Sequence, residues 1–121
     1  MKTVLLIDDD SVIRARLKDL LEAEAIQVLE ADDGKPGLEL ALAHHPDLII
    51  LDENMPDMDG EAVMEALRND AWGATARVIA FTVNDDITLM NKKLQAGVTE
   101  YLDKSTLDPE ELVAIILKHL Q

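Results

Sequence analysis

Three nearly continuous apolar runs of strand length occur along the chain, at Val4 to Ile7, Leu48 to Leu51 and Val78 to Phe81. Such runs are typical of strands that are buried on both faces of a sheet. Two further segments, Ile26 to Ala31 and Val98 to Leu102, mix polar with apolar residues and suit the edges of a sheet. The pattern therefore predicts five strands, three of them central.

Segments of helix length separate these strands, and their apolar residues recur about every 3.6 positions. The predicted helical positions are Ile13, Leu17, Leu20 and Leu21; Leu38 and Leu42; Val63 and Leu67; Ile87, Met90 and Leu94; and Leu112, Ile115, Ile116 and Leu120. Asp108, Pro109 and Glu111 have the spacing of an N-cap, a first helical proline and a capping box, so the fifth helix is predicted to begin there. Asp10 or Ser11 is expected to cap the first helix.

Strand and helix alternate five times without a long linker or a repeat, which predicts an α/β fold: a parallel sheet with helices on both faces. Right-handed crossovers favour a doubly wound sheet whose central strands are the first, third and fourth in sequence. We expect a single domain over residues 1–121 with no output domain, because the chain ends one residue after Leu120. In such a sheet the functional residues lie at the carboxyl ends of the strands.

The composition narrows the classes of function. The chain has no cysteine, which excludes disulfides, thiolate catalysis and cysteine-bound zinc. With 25 acidic and 11 basic residues its net charge is -14, so direct nucleic-acid binding is not expected. No apolar stretch approaches the roughly 20 residues that span a bilayer. We expect a protein of the cytoplasm that does not enter a membrane.

Polar residues follow the predicted strands at the edge where function is expected. They are Asp8 and Asp9 after the first strand, Asp52 after the third, Thr82 after the fourth and Lys104 after the fifth. A single Asp in such a place is more commonly a helix cap, but capping does not explain the whole set. Three neighbouring carboxylates are stabilised either by protonation of one of them or by a bound cation, and Mg2+ suits oxygen ligands of this kind. Asp52 could also act as a nucleophile toward phosphorus.

Other site motifs find no support. The chain lacks a Walker A loop, a dinucleotide-binding glycine fingerprint, a nucleophile elbow and an H-E-x-x-H helix. His44 and His45 fall where the second helix should end, and we interpret them as partners of the helix dipole rather than metal ligands.

With these residues assembled, the sequence resembles the receiver domains of two-component response regulators over essentially its whole length. The resemblance rests on LLIDDDSVIR, DLIILDENMPDMDG, VIAFT and GVTEYLDKS. It implies a flavodoxin-like (βα)5 receiver fold with strand order 2-1-3-4-5.

The resemblance also implies roles for individual residues. Asp52 falls on the phosphoacceptor, Thr82 on the switch hydroxyl, Tyr101 on the switch aromatic and Lys104 on the family's lysine. The implied cofactor is Mg2+, with Mn2+ as an alternative. Its implied ligands are Asp9, Asp52 and the backbone carbonyl of Asn54, with Asp8 acting through water.

The implied activity is transfer of a phosphoryl group from a phosphohistidine to Asp52, followed by autodephosphorylation, and not turnover of a separate substrate. The implied partners are a sensor histidine kinase or histidine phosphotransfer protein, and a downstream protein or output domain. The latter would contact the surface of the fourth helix, fifth strand and fifth helix, on a monomer or a phosphorylation-dependent dimer. Leu89, Leu112, Val113, Ile116 and Leu117 are either contacts on that surface or core residues.

One departure from the family pattern concerns Lys104. Ser105 replaces the proline that commonly follows it in a cis peptide, so we predict a trans Lys104–Ser105 bond or a strained cis bond.

Three alternatives stay open. The chain could be a pseudo-receiver that binds partners without phosphorylation, or a receiver cut from a larger regulator or hybrid kinase. A phosphatase with an Asp nucleophile is disfavoured, because Asn54 stands where such sites usually have a second Asp.

Overall fold

The computed structural model describes residues 1–52, 60–82, 98–103 and 106–121, which form a parallel sheet with helices on both faces. The strands are β1 (Thr3–Ile7), β2 (Gln27–Ala31), β3 (Leu48–Asp52), β4 (Val78–Thr82) and β5 (Glu100–Asp103). The helices are α1 (Ser11–Ala23), α2 (Gly34–His44), α3 (Gly60–Arg68) and a C-terminal helix (Pro109–His119), with a short 3-10 turn at Gly73–Thr75.

The strand order is β2-β1-β3-β4-β5, and every neighbouring pair is parallel. The predicted fold class is therefore confirmed, including the three central strands and the mixed-polarity strands at the two edges. The predicted fourth helix, with Ile87, Met90 and Leu94, lies outside the described residues.

Two apolar cores cover the two faces of the sheet. One includes Leu6 of β1, Leu17 of α1 and Leu112 of the C-terminal helix. The other includes Ile7 of β1, Ala41 of α2 and Val63 of α3. Adjacent residues of β1 enter opposite cores because side chains alternate along a strand, and this explains why the central strands are continuously apolar.

Helix α2 departs from the prediction. The spacing predicts Leu38 and Leu42 as its apolar positions, but Leu38 is only half-buried and Leu42 is 37% exposed. The buried positions of α2 are Gly34, Gly37 and Ala41. These small residues let the helix backbone approach the sheet closely, so the two leucines lie on the flank of the helix.

The helix ends follow the predicted chemistry. Asp10 caps α1, and its Oδ1 accepts hydrogen bonds from the Val12 and Ile13 amides at 3.0 and 3.3 Å. Asp108 and Glu111 form the predicted capping box of the C-terminal helix, with bonds of 2.8 and 3.2 Å.

The end of α2 carries the two histidines in the predicted place. His44 is the last helical residue, and His45 follows in a left-handed conformation with φ of 49°. The His45 ring stacks on Trp72, with ring centroids 4.3 Å apart and planes within 7° of parallel. This contact joins the end of α2 to the segment that precedes β4, at the amino edge of the sheet.

The C-terminal helix places Leu112, Val113 and Ile116 in the core, and Leu117 packs against that core. The core interpretation is therefore confirmed for the three buried residues, while Leu89 lies outside the described part of the chain. Among the described residues, no helix has both the length and the apolar character needed to cross a membrane.

Candidate functional site

The parallel register brings Asp8 and Asp52 together at the carboxyl edge of the sheet. Ile7, the last residue of β1, pairs with Leu51 of β3, and the residue that follows each of them in the sequence is an aspartate. No loop intervenes between these aspartates and the strands that carry them. Their relative position is therefore set by the hydrogen-bonded ladder of two central strands.

A cluster of three carboxylates results. Asp8, Asp9 and Asp52 each offer one carboxylate oxygen, and these oxygens all lie within 4.8 Å of one another. Asp8 and Asp52 are only 4% and 5% exposed, whereas Asp9 is exposed. Like charges this close repel, most strongly between the two buried carboxylates, so a bound cation would stabilise the cluster. The donor set fits Mg2+, which takes one or two carboxylates and completes its coordination with other oxygens.

The turn between β1 and α1 holds Asp8 by its backbone and its side chain. The Asp8 amide donates to the carbonyl of Ala31 at 3.1 Å, which extends the β1–β2 ladder by one bond. Asp8 Oδ1 accepts from the Asp10 amide at 2.9 Å. Asp10 itself turns toward the helix as its cap, so the acidic run Asp8 to Asp10 divides into two cluster members and one cap.

Arg14 also contacts the acidic cluster, and the sequence did not predict this contact. Its Nη1 donates to the backbone carbonyl of Asp8 at 2.5 Å, and its Nε donates to Glu30 of β2 at 3.2 Å. No spacing rule marks this arginine, because its contact with Asp8 depends on how α1 is rotated against the sheet.

The other predicted site residues lie on β4 and β5 or beyond the described residues. Thr82 ends β4, one position after Phe81, the partner of Asp52 in the ladder. Thr82 pairs with Asp103 of β5, which directly precedes Lys104. Lys104, the Lys104–Ser105 bond and Asn54 all lie outside the described residues. The predicted roles of Thr82, Lys104 and Asn54 stay predictions.

Tyr101 lies on β5 opposite Ala80 of β4. It is half-buried and packs against the core on the side of α2 and α3. This burial is compatible both with a switch aromatic and with an ordinary aromatic on an edge strand.

The comparisons with known proteins agree on one family. The family model described as the response regulator receiver domain matches residues 4–117. The nitrate/nitrite response regulator NarL of Escherichia coli K12 is 38% identical over 113 residues, which cover 92% of this chain and 51% of NarL. This chain spans about half the length of the first curated relatives it matches.

The solved structures that resemble this chain belong to the same family. The chemotaxis protein CheY4 of Vibrio cholerae matches with a TM-score of 0.89 and 28% identity, over 98% of each chain. The receiver domain of the sensor histidine kinase PA1611 of Pseudomonas aeruginosa has a TM-score of 0.85 and 26% identity, covering 98% of this chain and 97% of its own. That structure has a magnesium ion coordinated in its active site cleft.

Proposed function

The chain belongs to the response regulator receiver domains of two-component systems, and we propose that it accepts a phosphoryl group on Asp52. The observation that carries this proposal is the carboxylate cluster of Asp8, Asp9 and Asp52, with Asp52 buried at the end of a central strand. Oxygen nucleophiles of this type form acyl phosphates when nearby positive charge offsets the charge of the phosphoryl oxygens.

The proposed reaction is transfer from a phosphohistidine of a sensor histidine kinase or phosphotransfer protein. A carboxylate oxygen of Asp52 forms a bond to phosphorus while the bond from phosphorus to the donor's imidazole nitrogen breaks. The imidazole keeps the electron pair and takes up a proton. Water later cleaves the acyl phosphate and restores Asp52, so the chain catalyses only its own modification and its reversal.

Asp8, Asp9 and Asp52 are the described residues that would hold Mg2+, or Mn2+ in its place, and the backbone carbonyl of Asn54 is the further ligand that the family pattern implies. When bound, the ion supplies positive charge beside the incoming phosphoryl oxygens. Asp52 then serves both as ligand and as nucleophile. Thr82 and Lys104 are proposed to bind the remaining phosphoryl oxygens.

The proposed output is a change of surface. A phosphoryl group on Asp52 attracts the hydroxyl of Thr82 and the ammonium of Lys104, and Tyr101 on the neighbouring strand responds to the space that Thr82 vacates. The surface affected includes β5 and the C-terminal helix, together with the predicted fourth helix. A downstream protein or an output domain would read this surface.

Incubation with acetyl phosphate and Mg2+, followed by intact-mass measurement, tests the proposal. The wild type is expected to gain one phosphate, and Asp52→Asn is expected to gain none. Asp10→Asn is the matched control, because Asn also caps helices and Asp10 lies outside the cluster; it is expected to label like the wild type. An unlabelled wild type, or equal labelling of Asp52→Asn, would overturn the assignment.

A further inference from the structure

The backbone carbonyl of Asp8 is held by a side chain from α1. Asp8 is buried, and its amide already bonds to β2 while its carboxylate accepts the Asp10 amide. The carbonyl oxygen accepts a hydrogen bond from Nη1 of Arg14 at 2.5 Å. A hydrogen bond to a charged donor is stronger than one between neutral groups, so this contact fixes the peptide plane between Asp8 and Asp9.

Arg14 is itself held in place. Its side chain is 16% exposed, and its Nε donates to Oε1 of Glu30 at 3.2 Å. The other carboxylate oxygen of Glu30 lies 3.3 Å from the ammonium of Lys18. Glu30 lies on β2, next to Ala31, the residue that accepts the Asp8 amide. The guanidinium therefore links Asp8, the residue that follows β1 and belongs to the acidic cluster, to Glu30 of β2.

From this geometry we infer that Arg14 is a positioning residue for the metal site, acting through the Asp8 peptide and held by Glu30. The inference rests on the proposed function, because it concerns the cation that the cluster would bind. Groups that orient metal ligands through hydrogen bonds typically change metal affinity 10- to 100-fold when they are removed.

The sign of the effect separates positioning from simple electrostatics. Arg14 carries a positive charge beside a cation site, so charge alone predicts that its removal would tighten Mg2+ binding. Positioning predicts the opposite, because the peptide that links Asp8 to Asp9 would lose its fixed orientation. Arg16 offers a matched control, since it lies on the same helix with the same charge but pairs with Glu110 of the C-terminal helix.

The first test is an NMR titration with Mg2+. Arg14→Gln is expected to weaken Mg2+ binding about tenfold, whereas Arg16→Gln leaves it unchanged or slightly tighter. Arg14→Lys keeps the charge but loses the planar guanidinium that donates to Asp8 and Glu30 at the same time. Its Mg2+ affinity should therefore fall between those of the wild type and Arg14→Gln. Binding by Arg14→Gln as tight as that of the wild type would overturn the inference.

The second test needs no metal. Hydrogen exchange of the Asp10 amide reports its bond to the Asp8 carboxylate in the Mg2+-free chain, and it should be faster in Arg14→Gln but not in Arg16→Gln. If Arg14→Gln does not fold, Arg14→Lys replaces it, and wild-type affinity together with wild-type exchange would then overturn the inference.

A wild type that neither binds Mg2+ nor accepts phosphate would overturn the proposed function and this inference together. A wild type that does both, with Arg14→Gln unaffected, would overturn only this inference.

Discussion

Gly37 of α2 lies directly against the side chain of Ile7 in β1. A Cβ placed on Gly37 would lie 2.6 Å from Cδ1, 2.7 Å from Cγ1 and 2.9 Å from Cγ2 of Ile7. Ile7 is fully buried and β-branched, so it has little freedom to move away. Because Ile7 immediately precedes Asp8, this contact supports the strand end that carries the acidic cluster.

Gly37→Ala is expected to lower the free energy of unfolding by about 1 kcal/mol. Overpacking costs about 1–3 kcal/mol, and the middle of that range, about 2 kcal/mol, exceeds the roughly 1 kcal/mol that alanine gains over glycine in a helix. Urea unfolding measures the change. Ile7→Val removes Cδ1, so the double variant should lose less than the sum of the two single losses. A more stable Gly37→Ala protein would show that Ile7 yields easily.

Gly73→Ala should be more damaging than Gly37→Ala. A Cβ on Gly73 would lie 2.1 Å from the backbone carbonyl oxygen of Leu67, and a backbone atom cannot rotate away as a side chain can. We expect a loss of about 3 kcal/mol, at the upper end for single substitutions, in the same unfolding measurement. Ala74→Ser, at the exposed neighbouring position, is the control and should be close to neutral. Equal stability of the two variants would contradict the close approach.

Arg68, the last residue of α3, forms hydrogen bonds with the segment that follows the helix. Its Nη1 donates to the carbonyls of Gly73 and Ala76 at 2.5 and 2.9 Å, and desolvation by burial lowers the pKa of its guanidinium. Arg68→Met should cost about 1.5–3 kcal/mol of stability, because it leaves both carbonyls without this donor. Lys35→Met removes an exposed cation from α2 and should change the unfolding free energy little; a similar loss in both variants would argue against a specific role of Arg68.

The capping box of the C-terminal helix gives a graded prediction. Asp108→Ala should lower stability by about 1 kcal/mol, whereas Asp108→Asn should be nearly neutral because Asn also caps well. Glu111→Ala removes only the return bond to the Asp108 amide and should fall between them. Chemical unfolding of the three variants measures the order, and a loss in Asp108→Asn equal to that in Asp108→Ala would contradict it.

Metal removal should abolish phosphorylation without unfolding the chain. Chelation of divalent ions before acetyl phosphate is added should eliminate the phosphate adduct, since the charge that offsets the phosphoryl oxygens is then missing. Restored Mg2+ should restore the adduct, and circular dichroism serves as the control for folding. Labelling that persists after chelation would contradict a metal-dependent site.

The sheet and the helix caps could be predicted because their signals are local. The continuous apolar runs around Leu5 and Ile49 identify strands buried on both faces, and Asp108 carries its capping partner three residues away. The proximity of Asp8 and Asp52 followed from the rule that parallel strands share a carboxyl edge. Each of these inferences needs only a residue's sequence neighbours and the order of the strands.

Features that depend on how elements pack could not be predicted. The sheet-facing side of α2 is formed by Gly37 and Ala41, whose small size gives no hydrophobic signal strong enough to compete with Leu38 and Leu42. The bond from Arg14 to Asp8 likewise depends on the rotation of α1 over the sheet. Hydrophobic periodicity indicates which side of a helix is apolar, but not how closely that helix approaches its neighbour.

The stack of His45 on Trp72 has an optical consequence. Trp72 is the only tryptophan in the sequence, and it lies at the amino edge of the sheet, whereas the acidic cluster lies at the carboxyl edge. The five residues of β3 separate the two edges by roughly 17 Å. The emission of Trp72 is therefore not expected to report direct contact of a ligand with the cluster. An emission change after Mg2+ or phosphate is added would report a disturbance that had travelled the length of the central strands.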